Sequence, residues 1–254
     1  MAYRLAFAAL LLGLVSTGAC EEPAHGDSAL VQPPAREAFL LVPLNVHVLS
    51  CEDQADVDCK LSDADIARIV GKVNGVWHQA GVHFCLESVL REQAENVAAF
   101  EGKRLAPAGA ASLQIYRMLA PAATRQRAGL HVYYVHELPP NGVYLGQNIC
   151  FVKETAKLRN VEGGIDEPLP RVTAHELGHG LGLPHRQDTT NLMASGTTGT
   201  LLNAAEVAVA RGRAEKMQGA MSVAACARAA EEAKGKGDAV HAKLLQKFLD
   251  ELPK

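Results

Sequence analysis

The sequence has little net charge and no long hydrophobic segment. Its 25 lysine and arginine residues nearly balance 28 aspartate and glutamate residues, and the basic residues are scattered along the chain. Because a nucleic-acid-binding surface needs a basic patch, we expect no nucleic-acid partner. The apolar run Leu5–Val15 is too short to cross a bilayer as a helix. A hydrophobic content of 48% still suffices for a sizeable core, and we expect one main domain with appendages.

The first 20 residues have the features of an export signal. Small residues at Thr17–Ala19 suit a cleavage site directly before Cys20. The stretch Val15–Cys20 resembles a bacterial lipobox with a threonine in place of the usual leucine, and Glu21 then resembles the outer-membrane sorting pattern. We therefore predict a signal peptide over 1–19, a lipidated Cys20 as the sole membrane anchor, and a place in the bacterial cell envelope. Ordinary secretion, with cleavage before an incidental cysteine, is the alternative.

Composition divides the rest of the chain. Residues 20–38 contain three prolines and little periodicity, which predicts a flexible tether that is too short for a folded prodomain. We expect the folded domain over 39–215 and a helical extension over 216–254. The extension is rich in alanine, lysine and glutamate and is interrupted by Gly235 and Gly237. For the extension, a solvated tail is favoured over a partner-docking element.

Hydrophobic patterns predict strands and helices that alternate along the domain. The predicted strands are Phe39–Leu49, Val82–Leu90, Leu130–Val135 and a further strand within Val143–Val152. Ser62 and Asp65 have the spacing of a capping box, which predicts a helix that Gly81 ends. The apolar face of that helix is predicted to be Ile66, Ile69, Val70, Val73, Val76 and Trp77. Two more helices are predicted, at about Ala111–Leu119 and from about Ala204, the second capped by Asn203.

Histidines at a fixed spacing are the strongest chemical signal of the chain. On a helix, His175 and His179 would lie about 40° apart on one face and roughly 6 Å apart along the axis. Both imidazoles can then bind one metal ion. Glu176 is the next residue round the helix, and it can reach a metal-bound water more easily than the metal. Gly182 can adopt the left-handed conformation and end the helix, so that the chain returns His185 as a third ligand.

Three neutral ligands leave a fourth position for water, as in catalytic zinc sites and unlike closed structural ones. Together with Met193, eight residues after His185, these positions resemble the metzincin signature HExxHxxGxxH with its Met-turn. The spacing to the methionine is most similar to the matrixin and pappalysin-like branches. Position 195 is serine, where astacin and serralysin relatives have a further tyrosine ligand, so three histidines and a water are expected.

The resemblance implies a zinc metalloendopeptidase with one catalytic Zn²⁺ ion. Glu176 would activate the zinc-bound water, and Met193 would form an apolar floor under the imidazoles. The implied fold is α+β, with a twisted mixed N-terminal sheet, an active-site helix and a small, mainly helical C-terminal subdomain. A protein or peptide substrate would add to a sheet edge near Val143–Gly146 or near Val132–Val135. A monomer is expected.

Other functions for the same residues stay open. A non-proteolytic zinc amidase or hydrolase of the cell envelope would share the histidines and Glu176. A catalytically silent, zinc-stabilised surface binding module would keep the histidines without hydrolysis. An amphipathic helix with surface histidines is the structural alternative.

Five cysteines follow Cys20, and two disulfides are predicted for an exported protein. Cys51 and Cys59 flank a short acidic loop that a disulfide would close. A calcium site on the carboxylates of that loop is the disfavoured alternative. Cys85 and Cys150 each lie in a predicted strand, and neighbouring strands would allow a second disulfide. Cys226 is predicted to stay reduced.

Overall fold

The computed structural model describes residues 31–104 and 113–253. The predictions for the signal peptide, for Cys20 and for the first part of the tether lie outside these residues. So does the start of the helix predicted at Ala111–Leu119. In the ranges that the structure describes, no helix is both long enough and apolar enough to cross a membrane.

A mixed sheet lies at the centre of the fold. In the described parts of the chain it has six strands: β1 (Leu40–Ser50), β2 (Val82–Gln93), β3 (Leu130–Val135), β4 (Gly142–Tyr144), β5 (Ile149–Lys153) and the short β6 (Met221–Ser222). The order is β2-β1-β3-β5-β4, and β6 pairs with the start of β1. β1, β2, β3 and β5 are parallel, whereas β4 and β6 are antiparallel to their partners. The predicted α+β class with a mixed sheet is confirmed.

The helices surround this sheet. They are α1 (Asp63–Trp77), α2 (Val97–Arg104), α3 (Pro168–Gly180), α4 (Ala204–Ala214), α5 (Val223–Gly235) and α6 (Ala239–Asp250). The helix predicted near Ala111–Leu119 is a 3₁₀ helix over Leu113–Leu119. The polar, alanine-rich composition around α2 gave no periodic signal, so α2 was not predicted.

Helix α1 begins where its capping residues predict. The Ser62 hydroxyl accepts a hydrogen bond from the Asp65 N–H at 3.2 Å, and the Asp65 carboxylate accepts one from the Ser62 N–H at 3.0 Å. Such a cap stabilises a helix by about 1 kcal/mol. All six residues of the predicted apolar face are buried. After a short 3₁₀ turn, Gly81 adopts φ +60° and redirects the chain into β2.

Alternate residues of β1 separate the core into layers on the two faces of the sheet. Val42, Val46 and their neighbours at every second position pack with α1 and α3. Leu41 faces the other way, where α5 and α6 cover it, and Leu49 packs there with Tyr116 of the 3₁₀ helix. Both faces are therefore covered, and α3 lies on the face opposite the C-terminal helices.

The C-terminal residues are packed, contrary to the predicted solvated tail. Cys226 on α5 and Leu245 and Phe248 on α6 are buried against Phe39 and Leu41 at the start of β1. Alanines give α5 a flat inner face, and apolar residues recur at helical spacing along α6. The low overall hydrophobicity of the segment hid a narrow apolar stripe that is enough to dock both helices.

Both predicted disulfides are wrong. The cysteines of the described residues are free thiols, namely Cys51, Cys59, Cys85, Cys150 and Cys226. Cys85 lies on β2 and Cys150 on β5, and β1 and β3 run between them. Three strand spacings are about 14 Å, twice the roughly 7 Å limit between the Cα atoms of a disulfide. Cys51 and Cys59 pack into clusters on different sides of the sheet, and both are free thiols.

Candidate metal centre

Helix α3 carries the histidine motif and is held against the sheet by buried contacts. Pro168 occupies the first turn, where a missing N–H costs little. The Thr173 hydroxyl lies 2.9 Å from the Tyr134 hydroxyl of β3, and the Trp77 indole N–H donates to the Ala174 carbonyl at 3.2 Å. These hydrogen bonds fix the position of α3 along its axis and its rotation about that axis, and therefore the position of His175.

The structure brings the three predicted histidines together. The Nε2 atom of His179 lies 3.2 Å from that of His175 and 3.1 Å from that of His185. His175 is buried, His179 is half-buried and His185 is exposed, so the group lies at the edge of the protein interior. Its donor atoms are close enough together to share one ion.

The turn after α3 positions the second and third histidines. Gly182 adopts φ +87°, and its N–H donates to the His179 carbonyl at 3.0 Å. This left-handed residue ends the helix as predicted and returns the chain to His185. The Leu183 carbonyl, in the same turn, lies 2.8 Å from Nδ1 of His179. One turn therefore places His185 and orients His179.

The protonation of the imidazoles fits a metal ion. Nδ1 of His175 lies 2.8 Å from the Leu192 carbonyl, and Nδ1 of His179 has the equivalent bond to Leu183. Because a carbonyl can only accept, both Nδ1 atoms carry the proton and both Nε2 atoms present lone pairs. Burial lowers the pKa of His175 to about 3 and also lowers the pKa of His179, so both rings are neutral. Lone pairs about 3 Å apart repel one another unless a cation lies between them, and neutral imidazole is the form that binds zinc.

Glu176 lies beside the histidines under the edge strand β4. The carboxyl group is buried and accepts a hydrogen bond from the Tyr144 N–H. Burial raises the pKa of Glu176 from the usual 4.5 to about 8, and the nearby Arg171 guanidinium and the Tyr144 N–H act in the opposite direction. A carboxyl group whose pKa lies near neutral pH can both accept and return a proton.

Gly142 allows this close approach, although the sequence did not single it out as a site residue. A Cβ atom on Gly142 would lie 2.7 Å from Oε1 of Glu176 and 2.8 Å from Cγ1 of Val172. Both distances are shorter than van der Waals contact. Residue 142 must therefore be glycine for β4 to lie over the carboxylate, a requirement that depends on contacts across 34 residues.

If Glu176 takes part in a reaction at this site, Gly142→Ala should lower turnover about 100-fold, because displacing a reacting group by about 1 Å has an effect of that size. The histidines do not contact Gly142, so zinc affinity should stay unchanged. Steady-state kinetics and zinc titration measure both quantities. Gly75→Ala is the control, since a Cβ there meets no atom within 4 Å. Full activity of Gly142→Ala would show that β4 yields without moving Glu176.

Met193 is fully buried against α3. A Cβ atom on Gly178 would lie 2.6 Å from the Met193 sulfur, so the methionine fits against the bare backbone of the helix between His175 and His179. The predicted role of Met193 as an apolar floor under the imidazoles stays a prediction.

Glu206, a residue that the sequence did not single out, joins the segments around the site. Its buried carboxylate accepts hydrogen bonds from Arg186 Nε at 2.7 Å, from Asn191 Nδ2 at 2.8 Å and from the Asn203 N–H at 2.9 Å. Arg186 directly follows His185, whereas Asn191 precedes the Met-turn. Glu206 thus ties the segment after His185, the turn at Met193 and the start of α4 together. The capping-box spacing from Asn203 to Glu206 was the available signal, but it indicated a helix cap and no more.

A cleft of about 660 Å³ opens over the histidines. Residues 142–144 of β4 form one wall, and Ser195 and Gly196 after the Met-turn contribute to the lining. β4 pairs with β5 along one side and is the last strand of the sheet order. β3, the other predicted docking strand, lies between β1 and β5 and has no free edge.

Two histidines outside the motif also meet, although their sequence spacing gave no sign of it. Nε2 of His47 lies 3.0 Å from Nδ1 of His131 on the opposite face of the sheet. The outer nitrogens contact the Glu92 carboxylate at 2.7 Å and the Arg127 carbonyl at 3.0 Å. Burial lowers the pKa of both rings. These contacts form a buried polar network that crosses β1, β2 and β3.

The sequence matches no family model, and a search of curated proteins finds no match. Among solved structures, the fold is similar to the archaemetzincin from Methanopyrus kandleri, with a TM-score of 0.44 and 14% identity over 72% of this chain and 99% of that one. It is also similar to the metalloproteinase-II from Bacteroides fragilis, with a TM-score of 0.37 and 14% identity over 73% of this chain and 57% of that one. Both similarities are distant.

Proposed function

We propose that the protein is a zinc-dependent endopeptidase that hydrolyses peptide bonds with Glu176 as general base. The observation that carries the proposal is the convergence of three imidazole Nε2 atoms beside a buried carboxylate in an open cleft. His175, His179 and His185 would hold the ion. Three histidine ligands are the number found in catalytic zinc sites such as that of carbonic anhydrase.

The chain supplies the proton transfers. When bound, zinc would acidify the attacking water and polarise the scissile carbonyl. The Glu176 carboxylate would take the proton of that water and pass it to the leaving amine. The Tyr144 N–H holds the carboxylate in place, and the buried position excludes competing bulk water from it.

Within the ranges that the structure describes, β4 pairs with β5 alone, and its other edge supports a peptide substrate. An extended peptide can pair with an exposed strand through backbone hydrogen bonds, and β4 lines the cleft beside Glu176. Such pairing depends on the peptide backbone, so it would accept many sequences and would place a backbone amide near the histidines. This favours the β4 edge near Val143–Gly146 over Val132–Val135 as the docking strand.

The test compares substrates of different classes. The zinc-loaded protein is incubated with a diverse peptide library and, separately, with purified cross-linked cell-wall peptidoglycan. We expect cleavage at internal peptide bonds of the library, loss of cleavage with a chelator, and recovery when zinc is restored. Release of peptidoglycan fragments without cleavage of the library would instead indicate an envelope amidase. Stoichiometric zinc without hydrolysis of either substrate would indicate a binding module.

A further inference from the structure

A buried cation lies one helical turn before the first histidine. Arg171 on α3 is 1% exposed, and its guanidinium donates to three backbone carbonyls of the following loop. Nε bonds to Gly199 O at 3.0 Å, and Nη2 bonds to Asn191 O at 3.2 Å and to Ala194 O at 2.6 Å. The three acceptors belong to the loop that contains the Met-turn.

Burial of an arginine at this position costs desolvation free energy. Its charge is removed from water, and its hydrogen-bond partners are neutral carbonyls. A leucine or methionine would fill a buried helix face without that cost. What arginine adds is a rigid planar fork with five N–H donors, which can hold several carbonyls in fixed directions at once.

Arg171 binds backbone carbonyls on both sides of Leu192, whose own carbonyl orients His175. Asn191 O lies immediately before Leu192, and Ala194 O lies two residues after it. Leu192 O accepts the Nδ1 proton of His175 at 2.8 Å. This bond fixes the tautomer of the ring and directs its Nε2 lone pair at the metal position. Nη1 of Arg171 also lies 3.2 Å from Nδ1 of His175, but both atoms carry protons, so this is a packing contact.

We infer that Arg171 is a positioning residue for zinc binding. By holding the carbonyls on both sides of Leu192, Arg171 sets the direction of the Leu192 carbonyl and thereby the orientation and tautomer of His175. The inference rests on the proposed function, because it assigns Arg171 a role in the zinc site proposed above.

A purely electrostatic role is distinguished by a variant that keeps the charge. The Arg171 guanidinium repels a cation bound to His175, and it also favours the ionised form of Glu176, so removing the charge changes two opposing interactions. Arg171→Lys keeps the charge and removes the planar fork. If charge alone mattered, this variant would bind zinc as wild type does; if positioning matters, it binds zinc more weakly.

The experiment measures zinc affinity by chelator competition for wild type, Arg171→Lys and Arg171→Gln. Lysine keeps the charge but not the fork, and glutamine removes the charge and keeps one amide NH2 group. We expect both variants to bind zinc about 10–100-fold more weakly, the usual effect of losing a partner that orients a metal ligand. With Co²⁺ in place of zinc, the visible absorption spectrum should also change, since it reports the ligand geometry. Glutamine leaves no buried charge, so it serves as the test if the lysine variant does not fold.

Arg211→Lys is the matched control. Arg211 also donates to three backbone carbonyls, at Ala80, Gly81 and Ala38, but it lies away from the histidines. Its substitution should lower the melting temperature of the zinc-free protein while zinc affinity and the Co²⁺ spectrum stay as in wild type. An equal loss of zinc affinity in the Arg171 and Arg211 variants would reduce the role of Arg171 to general stability and overturn the inference.

Two further results separate this inference from the proposed function. If wild type cleaves peptides with zinc but Arg171→Gln binds zinc as tightly as wild type or more tightly, the inference fails and the proposed function stands. If wild type binds no zinc, both fail together. Unchanged zinc affinity and Co²⁺ spectrum in Arg171→Lys would likewise overturn the inference, because lysine keeps the charge but lacks the planar fork that holds the three carbonyls in fixed directions.

Discussion

Glu176→Ala is expected to lower turnover about 10²–10⁴-fold while zinc stays bound, because that is the usual contribution of a general base. The carboxylate is the buried group beside the histidines that can take a proton from a bound water. Alanine removes it without touching His175 or His179. Turnover is measured on a peptide taken from the library experiment, and zinc content is measured on the same samples.

The fold should tolerate this substitution. Burial disfavours the ionised form of Glu176, as its raised pKa of about 8 indicates, so the carboxylate is placed there at a cost in stability. Glu176→Gln is the matched variant, since it keeps the shape and the acceptor for the Tyr144 N–H but cannot take the proton. Both variants should melt at or above the wild-type temperature. Turnover within about threefold of wild type in either variant would remove Glu176 from the proposed mechanism.

Local signals explain what the sequence could predict. The capping box at Ser62 and Asp65, the buried face of α1 and the left-handed turn at Gly182 depend on residues within a few positions of one another. His175 and His179 share a helix face by helical geometry alone. The periodicity of side chains along a helix and the conformational freedom of glycine determine such features, so they can be predicted from a single sequence.

Contacts between distant segments explain what the sequence left out. Gly142 matters because β4 passes over Glu176, and Glu206 matters because α4 begins beside the Met-turn. Arg171 stands in an apolar stretch, but its partners come from a loop 20 to 28 residues further on. The prediction of a Cys85–Cys150 disulfide failed for the same reason: the order of the strands separates the two cysteines, and hydrophobic alternation along the chain does not determine that order.

The exposed histidine gives the sharpest test of the ligand set. His185→Ala is expected to lower zinc affinity by at least the roughly 10-fold typical of a disturbed metal site. Because His185 is exposed, the same change should leave the melting temperature of the zinc-free protein unaltered. Zinc titration and thermal melting of the zinc-free protein give the two readouts.

His175→Ala separates the metal role of a histidine from its structural role. His175 is buried and donates to the Leu192 carbonyl, so its loss should weaken zinc binding and also lower the melting temperature without zinc. His241→Ala, on the exposed side of α6, is the control and should change neither quantity. Full zinc occupancy in His185→Ala would contradict the three-histidine site, and the third ligand would then have to be another group in the cleft. The geometry of the site predicts an equal loss of zinc affinity in His185→Ala and His175→Ala. It predicts a lower melting temperature in His175→Ala alone.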